Sequence, residues 1–132
     1  MSFSYSVSLQ VWHPDAGPQT IVEGIGLSPS RCWAAGDQRM TPNGTRLDGK
    51  YRESYCFFQL GGSDDGELAN FLAAALQKLE SQAAFINHLR GSGGKVSFFV
   101  SWTPGDRGEV FDVQLLADMA RLGIDLGIEP LA

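Results

Sequence analysis

Apolar and polar residues alternate strand-fashion over some stretches of this chain and recur at helical spacing over others. Residues 95–102, KVSFFVSW, put Val96, Phe98, Val100 and Trp102 on one face of a pleated strand and Ser97, Phe99 and Ser101 on the other. Entered through Gly91-Ser92-Gly93-Gly94 and left through Pro104-Gly105, this run predicts an interior strand with helices on its apolar side, on which the rest of the chain assembles. Tyr5, Val7, Leu9 and Val11 alternate with Ser4, Ser6, Ser8 and Gln10, which predicts a half-buried first strand over 4–12, ended by Trp12-His13-Pro14-Asp15. From Pro18 to Ile25 the apolar positions Ile21, Val22 and Ile25 predict a two-turn helix, with Gly24 or Gly26 supplying the left-handed stop.

Residues 27–50 show no sustained period and carry Pro42, Asn43-Gly44 and Asp48-Gly49, so they read mainly as a long ordered loop. Loops of that length inside a compact domain are often functional. Tyr51 to Leu60 returns to strand chemistry, with Tyr51, Tyr55 and Phe57 on one face and Cys56, Phe58 and Leu60 on the other, and Gly61-Gly62-Ser63 is expected to break it. Asp64 followed by Glu67 resembles a capping box ahead of the amphipathic run Leu68, Phe71, Leu72, Ala75, Leu76, Leu79. Residues 82–90 continue it as a kinked extension or a second short helix. Asp112 should cap a last helix with Leu115, Leu116, Met119 and Leu122 inward, Gly123 should stop it, and Ile124, Leu126 and Ile128 alternate as a closing strand. The pattern predicts one α+β domain over 1–132: a mainly antiparallel sheet of about four or five strands, with three or four helices packed largely on one face.

The segment Gly26-Leu27-Ser28-Pro29-Ser30, then Trp33, then Gly36-Asp37, precedes an aromatic strand, a capped leucine-rich helix and the closing run Leu122-Gly123-Ile124-Asp125-Leu126. In this order the motifs resemble the bacterial domain-of-unknown-function 4279 family over nearly the whole chain. The pattern departs from the family's at Tyr55, where tryptophan is expected, and in the tail Glu129-Pro130-Leu131-Ala132. The resemblance implies a single compact α+β domain and supplies no activity.

Charge narrows the partners. The chain of 132 residues carries a net charge of -5, and its ten Lys and Arg are scattered, so nucleic acid is not an expected partner. No stretch approaches the apolar length that spans a bilayer, and the start MSFSYSVSLQV lacks the basic and apolar regions of a leader, so no membrane partner and a cytoplasmic address are expected. Nothing sets an oligomeric state. Cys32 and Cys56 lie far apart without a CxxC spacing and read as reduced thiols. Asn43-Gly44-Thr45 reads as a turn.

Catalytic and cofactor motifs fail one by one. Gly91-Ser92-Gly93-Gly94-Lys95 is not a phosphate loop, because Leu89 and Val96 stand where Gly and Ser/Thr are needed and a strand follows. Gly24-Ile25-Gly26 lacks both the third glycine and the preceding strand of a dinucleotide site. His13, His88, Cys32 and Cys56 offer no short-spaced metal pair, and Asp64-Asp65-Gly66-Glu67 lacks a calcium loop's spacing. No metal, cofactor or catalytic residue is therefore predicted, and the reading favours a protein that is not an enzyme. What survives is Arg31, Trp33, Asp37 and Arg39 in the 27–50 segment, as binding residues. The competing account, that Trp33 plugs the core and Asp37 caps a turn, carries more weight. Strand alternation offers a second surface, the face opposite the helices, where Phe99 stands among serines. Two roles remain: an interaction module that neutralises or escorts a more basic protein, and a small-molecule binder or enzyme using the 27–50 segment as a pocket wall.

Overall fold

A computed structural model describes residues 3–131; Met1, Ser2 and Ala132, which the readings of the first segment and the tail include, lie outside the described residues. Seven strands and four α-helices follow in the order β1 (Ser4–His13), α1 (Pro18–Ile25), β2 (Arg31–Trp33), β3 (Gln38–Met40), β4 (Arg46–Lys50), β5 (Ser54–Ser63), α2 (Leu68–Leu79), α3 (Ala83–Gly91), β6 (Lys95–Thr103), α4 (Val113–Leu122) and β7 (Asp125–Pro130). A 3-10 turn, Glu80–Gln82, separates α2 from α3, so the second amphipathic stretch is a helix of its own.

Five strands form one sheet in the order β2-β5-β1-β6-β7, antiparallel throughout except for the β6/β7 pair, and β3 and β4 form a separate hairpin. The architecture is α+β, as the alternation predicts. The middle of the sheet, however, belongs to β1, which pairs with β5 on one side and β6 on the other; β6 is interior but not central. Tyr5, Val7, Leu9 and Val11 of β1, Cys56 and Phe58 of β5, and Val96, Phe98 and Val100 of β6 are buried on one face. Against them pack Ile21 and Ile25 of α1, Leu68, Leu72, Leu76 and Leu79 of α2, Ile86 and Leu89 of α3, and Leu115, Met119 and Leu122 of α4. Fully burying an aliphatic side chain of this kind is worth about 1.5–3 kcal/mol, so this layer carries most of the stability.

Several local expectations need correction. The 27–50 segment is mainly loop and turn, as expected, but it also contributes an edge strand and a hairpin that the sequence did not signal, each too short to show a period of its own. Gly61-Gly62-Ser63 does not break β5 but carries it to its end, where Ser63 faces Tyr5 across a register shift at Val7/Ser8. At Gly62 any Cβ would run into the Tyr5 carbonyl oxygen, so glycine here permits close strand approach. Asp64 does not cap α2. The first turn is held by Asp65 Oδ1, which accepts the Glu67 amide at 2.9 Å, and by Glu109 Oε2, which accepts the Ala69 amide at 3.1 Å. Asp112 does cap α4, accepting the Leu115 amide at 2.9 Å, and Gly123 at φ 79° ends it. Leu116 points outward and is half exposed, while Gly26 rather than Gly24 supplies the left-handed stop of α1.

Candidate functional site

Among the described residues no helix covers the face of the sheet opposite the helix layer, and its register fixes which side chains meet there. Arg31 and Trp33 on β2 stand opposite Phe57 and Tyr55 on β5; Phe57 and Tyr55 in turn stand opposite Gln10 and Trp12 on β1; and Ser8 on β1 faces Phe99 on β6. A row of rings follows from this. Trp33 stacks on Tyr51 with centroids 4.0 Å apart and an interplanar angle of 11°, and meets Tyr55 at 4.5 Å. Tyr55 meets Trp12 at 5.3 Å, and Trp12 meets Phe99 edge-on at 6.3 Å. Five half-buried rings thus cross from the β2 edge to β6. Phe99 lies over Gly127 of β7, where a side chain would crowd the ring.

Polar groups bind this row to its surroundings. The Arg31 guanidinium sits 4.9 Å from the Trp33 ring and donates to the Met40 carbonyl, tying the hairpin down; Tyr51 Oη donates to the same carbonyl at 3.0 Å. Trp33 Nε1 donates to the Glu53 carbonyl at 3.2 Å, and Tyr55 Oη donates to Gln10 Oε1 at 3.0 Å. Burial pushes the Tyr55 phenol above its ordinary pKa, with Arg31 partly opposing it, so the hydroxyl remains a donor at neutral pH. Ser8 and Ser97 lie buried beneath the larger neighbours.

Of the four residues singled out from sequence, the structure brings Arg31 and Trp33 into the ring row and leaves the other two outside it. Asp37 Oδ2 accepts the Ala34 amide at 2.9 Å, which caps a turn. Arg39 is exposed on the hairpin and donates to the Asp48 carbonyl at 3.0 Å. An open depression of about 590 Å³ lies between β2 and the hairpin, lined by Arg31, Trp33, Asp37, Gln38, Met40 and Tyr51 among others. Sequence reading missed Trp12, Tyr51, Tyr55 and their continuity with Phe99. The available signal was parity: Trp12 shares the even positions of Ser4 to Gln10 and so had to stand on the helix-free face.

The two histidines lie outside the ring row. His13 is buried, and its Nδ1 accepts the backbone amides of Asp15 at 3.0 Å and Ala16 at 2.8 Å. Two donors on Nδ1 place the ring proton on Nε2, which donates to Ser92 Oγ at 2.8 Å; the Ser92 hydroxyl in turn donates to the His88 carbonyl at 2.9 Å. His13 thereby closes the turn after β1 and pins the Gly91–Lys95 loop. His88 is exposed on α3. Among the described residues no three His, Cys, Asp or Glu side chains gather as a metal site would require, and no helix is long and apolar enough to cross a membrane. A second recess, of about 350 Å³, opens between α2 and β5; it is mostly apolar, and Lys78 is the one charged residue in its lining.

The cysteines are free thiols, as the sequence suggests, but they are neighbours. Sequence spacing keeps them apart, yet Cys32 of β2 and Cys56 of β5 are direct cross-strand partners. Both are free thiols, the first exposed and the second buried.

Comparison with curated proteins and with solved structures finds no match. A family model does match, over residues 3–132 and hence essentially the whole chain, under the description domain of unknown function (DUF4279). The motifs read from the sequence agree with that match, and this chain belongs to the DUF4279 family.

Proposed function

We propose that the protein is a non-enzymatic interaction module that docks a more basic partner protein on its helix-free sheet face, neutralising or escorting it. The observation that supports this reading is the row of five rings across that face, running through Trp33, Tyr55 and Trp12 to Phe99. Half-buried Trp and Tyr with an Arg beside them are the side chains that dominate binding energy at interfaces, because they offer large rigid area at low entropic cost. Charge placement suits a basic partner. Twelve of the fifteen acids lie outside 31–53, while Arg31, Arg39, Arg46, Lys50 and Arg52, half of the ten cations, lie within it. By register the helix-free face carries Arg31 at β2 and, at β7, Asp125, which pairs with Arg90, and Glu129, so its β7 end is the one that suits a basic partner. A cytoplasmic setting belongs to the same proposal and accords with two free thiols.

The test begins with affinity purification from the native cell at low and high salt and continues with the purified pair. A basic protein should form a binary complex that salt weakens, and hydrogen exchange should slow across 8–12 and 95–101. Trp12→Ala and Phe99→Ser, shown folded by circular dichroism, should each weaken binding about 30-fold, the scale of a hot-spot residue. Protection confined to the helix layer, with unchanged affinity in both variants, overturns the assignment of this face.

A second reading rests on the depression beside the hairpin: Arg31 and Trp33 at its wall suit a small anionic, planar ligand. Native mass spectrometry of the purified protein separates the two readings, since a stoichiometric bound metabolite lost in Arg31→Ala supports this one alone.

A further inference from the structure

We propose that Cys32 and Cys56 form a reversible intramolecular disulfide, with an oxidised small-molecule thiol as the oxidant, and that this bond fastens β2 to the sheet. The argument stands on register. β2 pairs with β5 through Arg31↔Phe57, Cys32↔Cys56 and Trp33↔Tyr55, so the cysteines are directly opposed. Trp33 and Tyr55 share the helix-free face, which places Cys32 and Cys56 together on the other. Directly opposed residues of an antiparallel pair have Cα atoms roughly 4.5–5.5 Å apart, inside the range that a disulfide spans. Closure requires their Cβ atoms to approach a little further, and β2 can supply that shift, because it is three residues long, at the sheet edge, and paired on one side only.

Exposure sets the order of events. Cys32 is exposed and meets the oxidant first; Cys56 is fully buried, its Sγ directed toward the Pro18 carbonyl. The Cys32 thiolate attacks one sulfur of the small disulfide, forming a mixed disulfide and releasing one thiolate. The Cys56 sulfur then attacks the Cys32 sulfur, its proton passing to the second departing thiolate. Two protein thiols are oxidised to one disulfide and the small disulfide is reduced to two thiols. Burial, with the Cys32 thiol close by, pushes the Cys56 pKa up to about 12, so the second step is the slow one and accelerates with rising pH. Because Arg31 and Trp33 flank Cys32, the bond anchors the strand that carries the start of the ring row. A disulfide of this kind in a reducing compartment is transient and responsive to redox state rather than structural.

The experiment treats reduced protein with oxidised glutathione at pH 8 and follows intact mass and maleimide reactivity. Wild type should pass through a glutathione adduct to a monomer lacking two hydrogens, with both thiols unreactive and a linked peptide pair containing Cys32 and Cys56. Cys56→Ser should stop at the adduct, and Cys32→Ser should stay unmodified while folded. A wild-type protein that stops at a stable adduct, as Cys56→Ser does, overturns the proposal, as do dimers linked through Cys32. Modification of Cys56 in folded Cys32→Ser at the wild-type rate overturns the order of steps.

Discussion

Replacing His13 by leucine and by asparagine separates its shape from its hydrogen bonding. Leucine fills the space but accepts nothing, so the amides of Asp15 and Ala16 lose the Nδ1 atom that satisfies both. An unsatisfied buried donor costs about 1–3 kcal/mol. Asp15 is exposed and its amide can recruit water, so its share falls at the low end, while Ala16 is half-buried and packs against the core. Ser92 Oγ loses the Nε2 donor but keeps the His88 carbonyl, and contributes little to the loss. The expected cost of His13→Leu is therefore about 2–4 kcal/mol, a large fraction of the roughly 7–20 kcal/mol expected of a domain this size. Asparagine places Oδ1 near the position of Nδ1 and can close the same turn, so His13→Asn should recover at least half of the loss. Urea unfolding followed by tryptophan fluorescence reads both: the leucine variant should lower the midpoint by about 1–2 M at unchanged slope, given slopes of about 1–3 kcal/mol/M. A leucine variant within about 1 kcal/mol of wild type, or an asparagine variant as unstable as leucine, would show that the histidine is not there for its Nδ1 acceptor.

Other perturbations test other parts of the frame. Asp112→Ala should cost about 1 kcal/mol through loss of the α4 cap, read as a lower urea midpoint, and Asp112→Ser should restore most of it. Gly62→Ala should cost about 1–3 kcal/mol by driving β5 away from the Tyr5 carbonyl, with slower-protected amides in 59–63 becoming fast in hydrogen exchange. Alkaline pH should destabilise the protein: burial, then the hydrogen bond to Asp65, raises the Tyr5 phenol to about 12, and burial raises the Cys56 thiol to about 12. Both groups are held neutral in the folded state, so their contribution is complete below pH about 8.5–10, the range where they titrate unfolded, and is lost as pH rises toward 12. The urea midpoint should fall over that interval, and Tyr5→Phe should flatten part of the fall; a midpoint constant to pH 12 refutes it.

Alternation made the sheet legible because β1, β5 and β6 run for nine or ten residues and each repeats the buried period at least three times. The same rule is silent over three residues. Arg31–Trp33 becomes a strand only because β5 offers it an edge, and Gln38–Met40 only because Arg46–Lys50 folds back on it, so propensity along the chain carried no sign of either. Gly61 and Gly62 misled for the opposite reason: residues that usually end strands here let one continue past a bulge. The candidate site was half visible. Arg31 and Trp33 stood out by type, but Trp12, Tyr55 and Phe99 belong to different strands, and only register places them side by side. The cysteine pair is hidden in the same way, since 24 positions of sequence separate Cys32 from Cys56 and one ladder step joins them.

Placing the first strand at the centre of the sheet also governs the order in which the chain can fold as it is made. Tyr5 must pair with Ser63 on one side and with Trp102 on the other. At synthesis rates of roughly 5–20 residues per second, β1 spends roughly 5–20 s outside the ribosome before its second neighbour exists. During that interval Tyr5, Val7, Leu9 and Val11 present an unpaired apolar strand to whatever else is nearby, and the interleaved serines at 4, 6 and 8 are its main protection against pairing with another nascent chain. Such long-range closure also implies slow refolding in vitro, on the millisecond-to-second scale of sheet-dominated topologies. A circular permutation that places β1 after β7 would have it emerge when both neighbours already exist, leaving the strand order of the finished sheet unchanged.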